Sequence, residues 1–119
     1  MTPDLPAPLR AALGRALERV PRKGLAERAA RTSQAYRAGR PSSAVIRDAD
    51  DALAYALTRL PATYAACATV LAEAARTAPD FSAASLLDAG AGTAAASWAA
   101  SEVWPGLAAI GRASCRERV

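Results

Sequence analysis

The sequence predicts a mainly α amino-terminal segment that leads into the first β–α unit of a truncated α/β domain. Three observations carry this expectation. Apolar residues recur at helical spacing through residues 1–79, whereas residues 85–104 change to a short apolar run, a glycine turn and an alanine-rich stretch. The third observation is length: 119 residues with one visible strand fall short of the roughly five or more strands of a doubly wound sheet. Three regions are therefore expected. Residues 1–79 form a helical region, residues 80–109 begin a cofactor-binding α/β domain, and residues 110–119 form a tail foreign to both.

Composition narrows the function classes. The hydrophobic share is 52%, but much of it is alanine, and one Phe, two Trp and three Tyr leave little area for a core. Histidine is absent and the two cysteines, Cys67 and Cys115, make neither a disulfide framework nor a spaced metal set, so no metal site is expected. No uncharged apolar run approaches the length of a membrane span, and the opening Met-Thr-Pro-Asp lacks a secretory pattern, so a cytoplasmic, bacterial location is expected. The last ten residues, Ile-Gly-Arg-Ala-Ser-Cys-Arg-Glu-Arg-Val, match one reading frame of a sequencing-library adapter. That string carries three arginines against one glutamate, which is half of the net charge of +4. The high overall charge is accordingly weak ground for a nucleic-acid partner.

From the amino terminus, Pro3, Pro6 and Pro8 precede Leu9, Leu13, Ala16, Leu17 and Val20, which recur as one face of a first helix ending near Pro21. Gly24 is expected to separate it from a second helix over residues 25–38, with Gly39, Pro41, Ser42 and Ser43 as a turn. Between Arg22 and Arg47 there are seven basic residues, Arg22, Lys23, Arg28, Arg31, Arg37, Arg40 and Arg47, against the single acid Glu27. Two readings stand side by side: a surface that contacts RNA phosphates, or a solvated face. Tyr36 alone interleaves with the arginines, which argues against a stacking platform for single strands.

Asp48 is expected to cap a third helix, with Asp50 and Asp51 complementing the dipole of its first turn. Pro61 disfavours helical geometry at Leu60, so a break is expected there and a fourth helix should run from Pro61 to about Ala78. Tyr64, Cys67, Ala68, Leu71 and Ala75 form its buried stripe, on which Cys67 is read as packing rather than as a nucleophile.

Residues 85–94 read Ser-Leu-Leu-Asp-Ala-Gly-Ala-Gly-Thr-Ala. Leu86 and Leu87 supply the run of a buried strand, Asp88 stands at its carboxyl end, and Gly90 and Gly92 let bare backbone approach a ligand ahead of a helix amino terminus. No Gly-Lys-Ser or Gly-Lys-Thr follows, which argues against a phosphate-loop NTPase. Gly90, Gly92 and Ala95 satisfy the dinucleotide spacing, while an acid two residues before the first glycine satisfies the methyltransferase spacing. A dehydrogenase start and a methyltransferase start both remain open on these residues.

The string Tyr-Ala-Leu-Thr-Arg-Leu-Pro-Ala-Thr-Tyr-Ala-Ala at residues 55–66, followed by residues 85–92 and by Ala-Ser-Trp-Ala-Ala at residues 96–100, resembles the methyltransferase-like family associated with the small ribosomal subunit in mitochondria and found also in bacteria. The resemblance covers roughly residues 45–105. It implies a helical region leading into a class I, Rossmann-like methyltransferase domain that binds S-adenosylmethionine, with ribosomal RNA or an assembling small subunit as partner. Asp88, Gly90 and Gly92 match the family's cofactor loop, and Ala89 and Ala91 would line it through their backbone. Thr93 and Ala94 depart from it, because such loops usually carry a further glycine there. Methyl transfer in this family is itself an inference from fold.

The resemblance also implies what should be missing. The acid that holds the cofactor ribose would end the next strand, which starts near Leu107 and is cut off; catalytic residues are unknown for the same reason. The expected function is thus a fragment of an S-adenosylmethionine-dependent protein of the small ribosomal subunit, without methyltransferase activity as it stands. A non-catalytic RNA-binding or ribosome assembly module and the start of an NAD-binding dehydrogenase are the alternatives. Arg59 and Tyr64 could support the cofactor loop or contact RNA, but the preferred reading is a helix-end charge and a core anchor, and Trp98 and Trp104 are read as packing. A lone parallel-type strand has no partner for its backbone, so a loose helical bundle with an unpaired strand is expected.

Overall fold

The computed structural model describes residues 2–40 and 45–113. In chain order its elements are α1 (Ala7–Leu17), α2 (Arg22–Arg37), α3 (Ala49–Thr77), β1 (Ser85–Ala89), α4 (Ala95–Val103) and β2 (Ala109–Ala113). The chain divides into two compact units, one of residues 7–61 and one of residues 62–119 with 1–6.

In the helical unit, α1 buries Leu9 and half-buries Leu13, Ala16 and Leu17 along one face. It then tightens into i−3 bonds, with the amides of Arg19 and Val20 donating to the carbonyls of Ala16 and Leu17 at 3.3 and 3.2 Å. Extended Pro21 at φ −61° and ψ 128° separates the two helices. Gly24 does not separate them as expected: it falls inside the first turn of α2, where Pro21 has already set the helix start. At the other end, Gly39 takes φ +76°. The amides of Gly39 and Arg40 reach back to the carbonyls of Tyr36 and Ala35 at 3.0 and 3.1 Å, the paired bonds of a Schellman end. The expected turn residues Pro41, Ser42 and Ser43 lie outside the described residues.

Helix α3 starts as its sequence requires, with the Asp51 amide donating to Asp48 Oδ1 at 2.8 Å. It does not stop at Pro61. The helix runs through the proline as one element of 29 residues, which corrects the expected break. A proline inside a helix costs about 3 kcal/mol through its missing N–H and its clash with the preceding turn. Buried positions recur at helical spacing on both sides of it: Ala54 and Leu60 before, Tyr64 and Ala65 after. Burying one large apolar side chain is worth about 1.5–3 kcal/mol, so Leu60 and Tyr64 together outweigh the local penalty.

The second unit holds the remainder of α3, on which Cys67, Ala68, Leu71 and Ala75 are half-buried below Tyr64, as the stripe predicts. Strand β1 is not unpaired. It pairs with β2 in parallel, with Ser85 opposite Ala109, Asp88 opposite Arg112 and Ala89 opposite Ala113, so the expected lone strand is corrected. Four of the five β2 residues, 110–113, come from the segment that the sequence reads as adapter-derived. Helix α4 crosses between the two strands and packs against β1, burying Ala95, Ser97, Ala99 and Ala100. Small side chains make this close helix–sheet contact possible. Leu87 is the second correction in the strand: it is 72% exposed, because only the Leu86 and Asp88 face of β1 has a helix over it. A parallel sheet is normally covered on both faces, and the two-stranded sheet here has its cover on one. Among the described residues the molecule is therefore mainly helical with a small parallel sheet.

Candidate functional site

The glycine loop forms where the sequence places it, between the end of β1 and the start of α4. Its shape follows from three left-handed residues: Gly90 at φ +67°, Gly92 at φ +54° and Ala94 at φ +63°. The first two are glycines and adopt this region without cost. Ala94 does not, since a Cβ in the left-handed region costs about 1 kcal/mol or more. It occupies the place where a further glycine was expected, and the backbone keeps the glycine conformation there. An added Cβ on Gly92 would meet only the Gly90 carbonyl oxygen, at 4.0 Å, so the loop crest opens away from the rest of the chain.

Asp88 does not face that open side. Its side chain is buried, and Oδ2 accepts a hydrogen bond from Ser97 Oγ at 2.7 Å. The pair ties the end of β1 to the first turns of α4 and thereby sets the width of the loop between them. Among the loop amides, those of Gly90 and Ala91 donate to the Ala113 carbonyl at 2.7 and 3.2 Å, and that of Ala94 to Ala91 at 2.8 Å. Gly92 and Thr93 have no backbone acceptor among the described residues. Together with the unpaired amides that open any helix, here at α4, they make a small donor surface suited to an anionic group.

A cavity of about 350 Å3 lies beside this loop, lined by Ala94, Ser97, Trp98, Ser101, Ile110 and Arg112. Trp104 packs edge-on against Phe81 at 5.6 Å, in keeping with its reading as packing.

The basic run of residues 22–47 resolves into two sets. Asp51 is fully buried, and its Oδ1 accepts from Arg28 Nη1 at 2.8 Å and Arg31 Nη2 at 2.7 Å, while Oδ2 accepts from the Arg47 amide at 3.1 Å. Arg28 also reaches Asp48 at 2.7 Å. Burial pushes the Asp51 carboxyl up, but the Arg47 amide, the Arg28 hydrogen bond and the charges of Arg31 and Arg28 outweigh it and hold it below the usual carboxylate range. Asp48 is also held low, by the Asp51 amide first and by Arg28 next. The sequence places Asp48 as a helix cap and Asp51 as a partner of the helix dipole; as partners of three arginines from α2 and its following segment, they take those charges out of a phosphate-contacting surface. Arg22, Lys23, Arg37 and Arg40 make no ion pair among the described residues.

The two residues of the Arg-Leu-Pro-Ala-Thr-Tyr string part company in the structure. Tyr64 is a core anchor, 4% exposed, as expected. Arg59 instead lines a second cavity, of about 250 Å3, in the helical unit.

The family model described as mitochondrial small ribosomal subunit Rsm22 matches residues 49–116, more than half of the chain. It spans α3, the glycine loop, α4 and β2. No curated protein and no solved structure matches.

Proposed function

The chain belongs to the family of the mitochondrial small ribosomal subunit Rsm22, and from that premise we propose that it carries the S-adenosylmethionine-receiving loop of a methyltransferase-like protein that acts on, or assembles with, the small ribosomal subunit. The observation that supports this most is the left-handed turn at Gly90 and Gly92, set between β1 and the amino terminus of α4. We read this strand, glycine turn and helix as the opening β–α unit of a Rossmann-like class I domain. The Gly92 and Thr93 amides and the first turn of α4 would hold the carboxylate of the cofactor's methionine end. Asp88 works through Ser97 to hold the loop's width, and the backbone of residues 89–92 would line the cofactor. Bound there, S-adenosylmethionine supplies an electrophilic methyl group on a sulfonium.

The proposal stops short of methyl transfer. No residue of β2 is acidic, and its carboxyl end, where a ribose-holding acid is expected, is Ala113. We propose that the chain binds the cofactor weakly and does not transfer its methyl group. The proposal extends to residues 110–119 as adapter-derived sequence, which resequencing of the genomic locus tests directly. Arg22, Lys23, Arg37 and Arg40, which make no ion pair among the described residues, support contact with ribosomal RNA.

Calorimetric titration of the purified chain with S-adenosylmethionine, S-adenosylhomocysteine and NAD tests the reading. The first two are expected to bind weakly, and Gly92→Val, which forces a β-branched side chain into the left-handed region, is expected to abolish binding. NAD binding without S-adenosylmethionine binding would replace the methyltransferase reading with the dehydrogenase one. Transfer of labelled methyl groups to small-subunit RNA would overturn the claim of inactivity.

A further inference from the structure

The second cavity lies wholly within the helical unit and uses none of the loop residues. It holds about 250 Å3 between α2 and the first turns of α3. On one wall, Tyr36 from α2 and Tyr55 from α3 bring their rings to 5.6 Å at an interplanar angle of 42°. Thr32 also lines it; the residue is 3% exposed, and its Oγ1 is buried without a hydrogen-bond partner. Buried hydroxyls nearly always have one, and leaving a hydroxyl unsatisfied is costly. Arg37 and Arg59 complete the lining, and neither makes an ion pair among the described residues. Both are exposed at their outer ends.

These features ask for one kind of ligand. Two guanidinium groups without carboxylates call for an anion that accepts several N–H bonds, and phosphate fits their fork geometry. Two tilted aromatic rings offer a flat apolar contact to a planar ring, and an unpartnered hydroxyl offers a hydrogen bond to a polar ring edge. The volume lies just under the roughly 300–1,000 Å3 of sites for larger ligands, which leaves room for one phosphorylated ring and excludes a dinucleotide.

We propose that the Tyr36–Tyr55 cavity is a binding site for a single nucleotide unit, its base against the two tyrosines and Thr32 and its phosphate on Arg37 and Arg59. The unit comes either from a free nucleoside monophosphate or from an unpaired position in an RNA strand. The site stands independently of the cofactor loop. It also explains how one isolated tyrosine in the basic run becomes half of an aromatic pair: Tyr55 arrives from the next helix.

The full chain is titrated with adenosine and cytidine monophosphates, with a short unpaired RNA, with adenosine, and with inorganic phosphate, following the tyrosine ring signals by NMR. Binding of a monophosphate, or of the RNA alone, with shifts at Tyr36 and Tyr55 supports the site and identifies its source. The exposed double variant Arg37→Gln with Arg59→Gln is expected to weaken binding by roughly tenfold or more, the effect of losing charge-assisted bonds. Thr32→Val keeps the shape of the core and is expected to weaken binding severalfold while helix content stays the same. Three results would sink the proposal: no binding by any nucleotide probe, inorganic phosphate binding as tightly as the nucleotides, or affinity unchanged in both variants. Loss of S-adenosylmethionine binding in Gly92→Val leaves this site untouched, so the two proposals fail separately.

Discussion

Asp51 shows how one side chain can organise a unit. Placed at the start of α3 it looks like a dipole partner, and in the structure it is a fully buried acceptor for Arg28, Arg31 and the Arg47 amide. Removing one member of a fully buried ion pair costs about 3–5 kcal/mol. Here the three arginine side chains stay 28%, 50% and 59% exposed, so water takes over part of their solvation. Asp51→Ala is therefore expected to cost about 1–3 kcal/mol in urea denaturation, the range for a lost hydrogen-bonded charged acceptor. Ala94 is the opposite case. Its φ of +63° is a conformation that glycine adopts freely, so Ala94→Gly is expected to stabilise the chain by about 0.5–1 kcal/mol in the same assay, although glycine frees the unfolded chain. A loss of stability would show that the Ala94 methyl group makes packing worth more than its strain.

Among the elements, α3 separates what local rules decide from what packing decides. Its start was legible because Asp48 and the two acids after it are a local signal, read by the backbone amides within three residues. Its continuity was not, because the steric effect of Pro61 is also local but the burial of Leu60 and Tyr64 against it is not. Replacing the proline should then release a cost that the helix already bears. Pro61→Ala is expected to raise stability by about 1–3 kcal/mol with little change in helical circular dichroism. A large gain in helix content would instead show that the helix is broken at Pro61 in solution. The glycine loop divides in the same way: Gly90 and Gly92 announced their turn, whereas Ser97, which holds Asp88, could have been found only from its position in the first turn of α4, facing the strand end.

At the scale of the molecule, the two units respond to opposite ends of the pH range. In the helical unit, Asp48 and Asp51 have folded-state values below the usual carboxylate range. Their contribution is complete above the unfolded value, about pH 4, and is lost as pH falls through the depressed folded values. In the other unit, burial first and the Glu102 charge next push the Tyr64 hydroxyl above its ordinary value. That contribution is complete below about pH 10 and is lost as pH rises through the raised folded value. Glu73 is also held low, by Arg76, but both side chains are exposed, so its acid effect is small. Hydrogen exchange is expected to show residues 7–61 opening first in acid and residues 62–113 opening first in alkali; simultaneous loss of protection at both ends would mean that the units unfold as one.

By itself the sequence determined the start of α3 at Asp48, the glycine turn after the strand, and the likeness to a family of the small ribosomal subunit. These depend on residues close together in the chain, where caps, φ preferences and motif spacing act. Tertiary structure alone decided that α3 passes through Pro61, that β1 finds a parallel partner in β2, and that Leu87 stays exposed. It decided too that three arginines are spent on Asp51 and Asp48 while Arg37 and Arg59 meet two tyrosines around a cavity. Each of those outcomes depends on which distant groups become neighbours, and burial or charge pairing between them is strong enough to override the local preference.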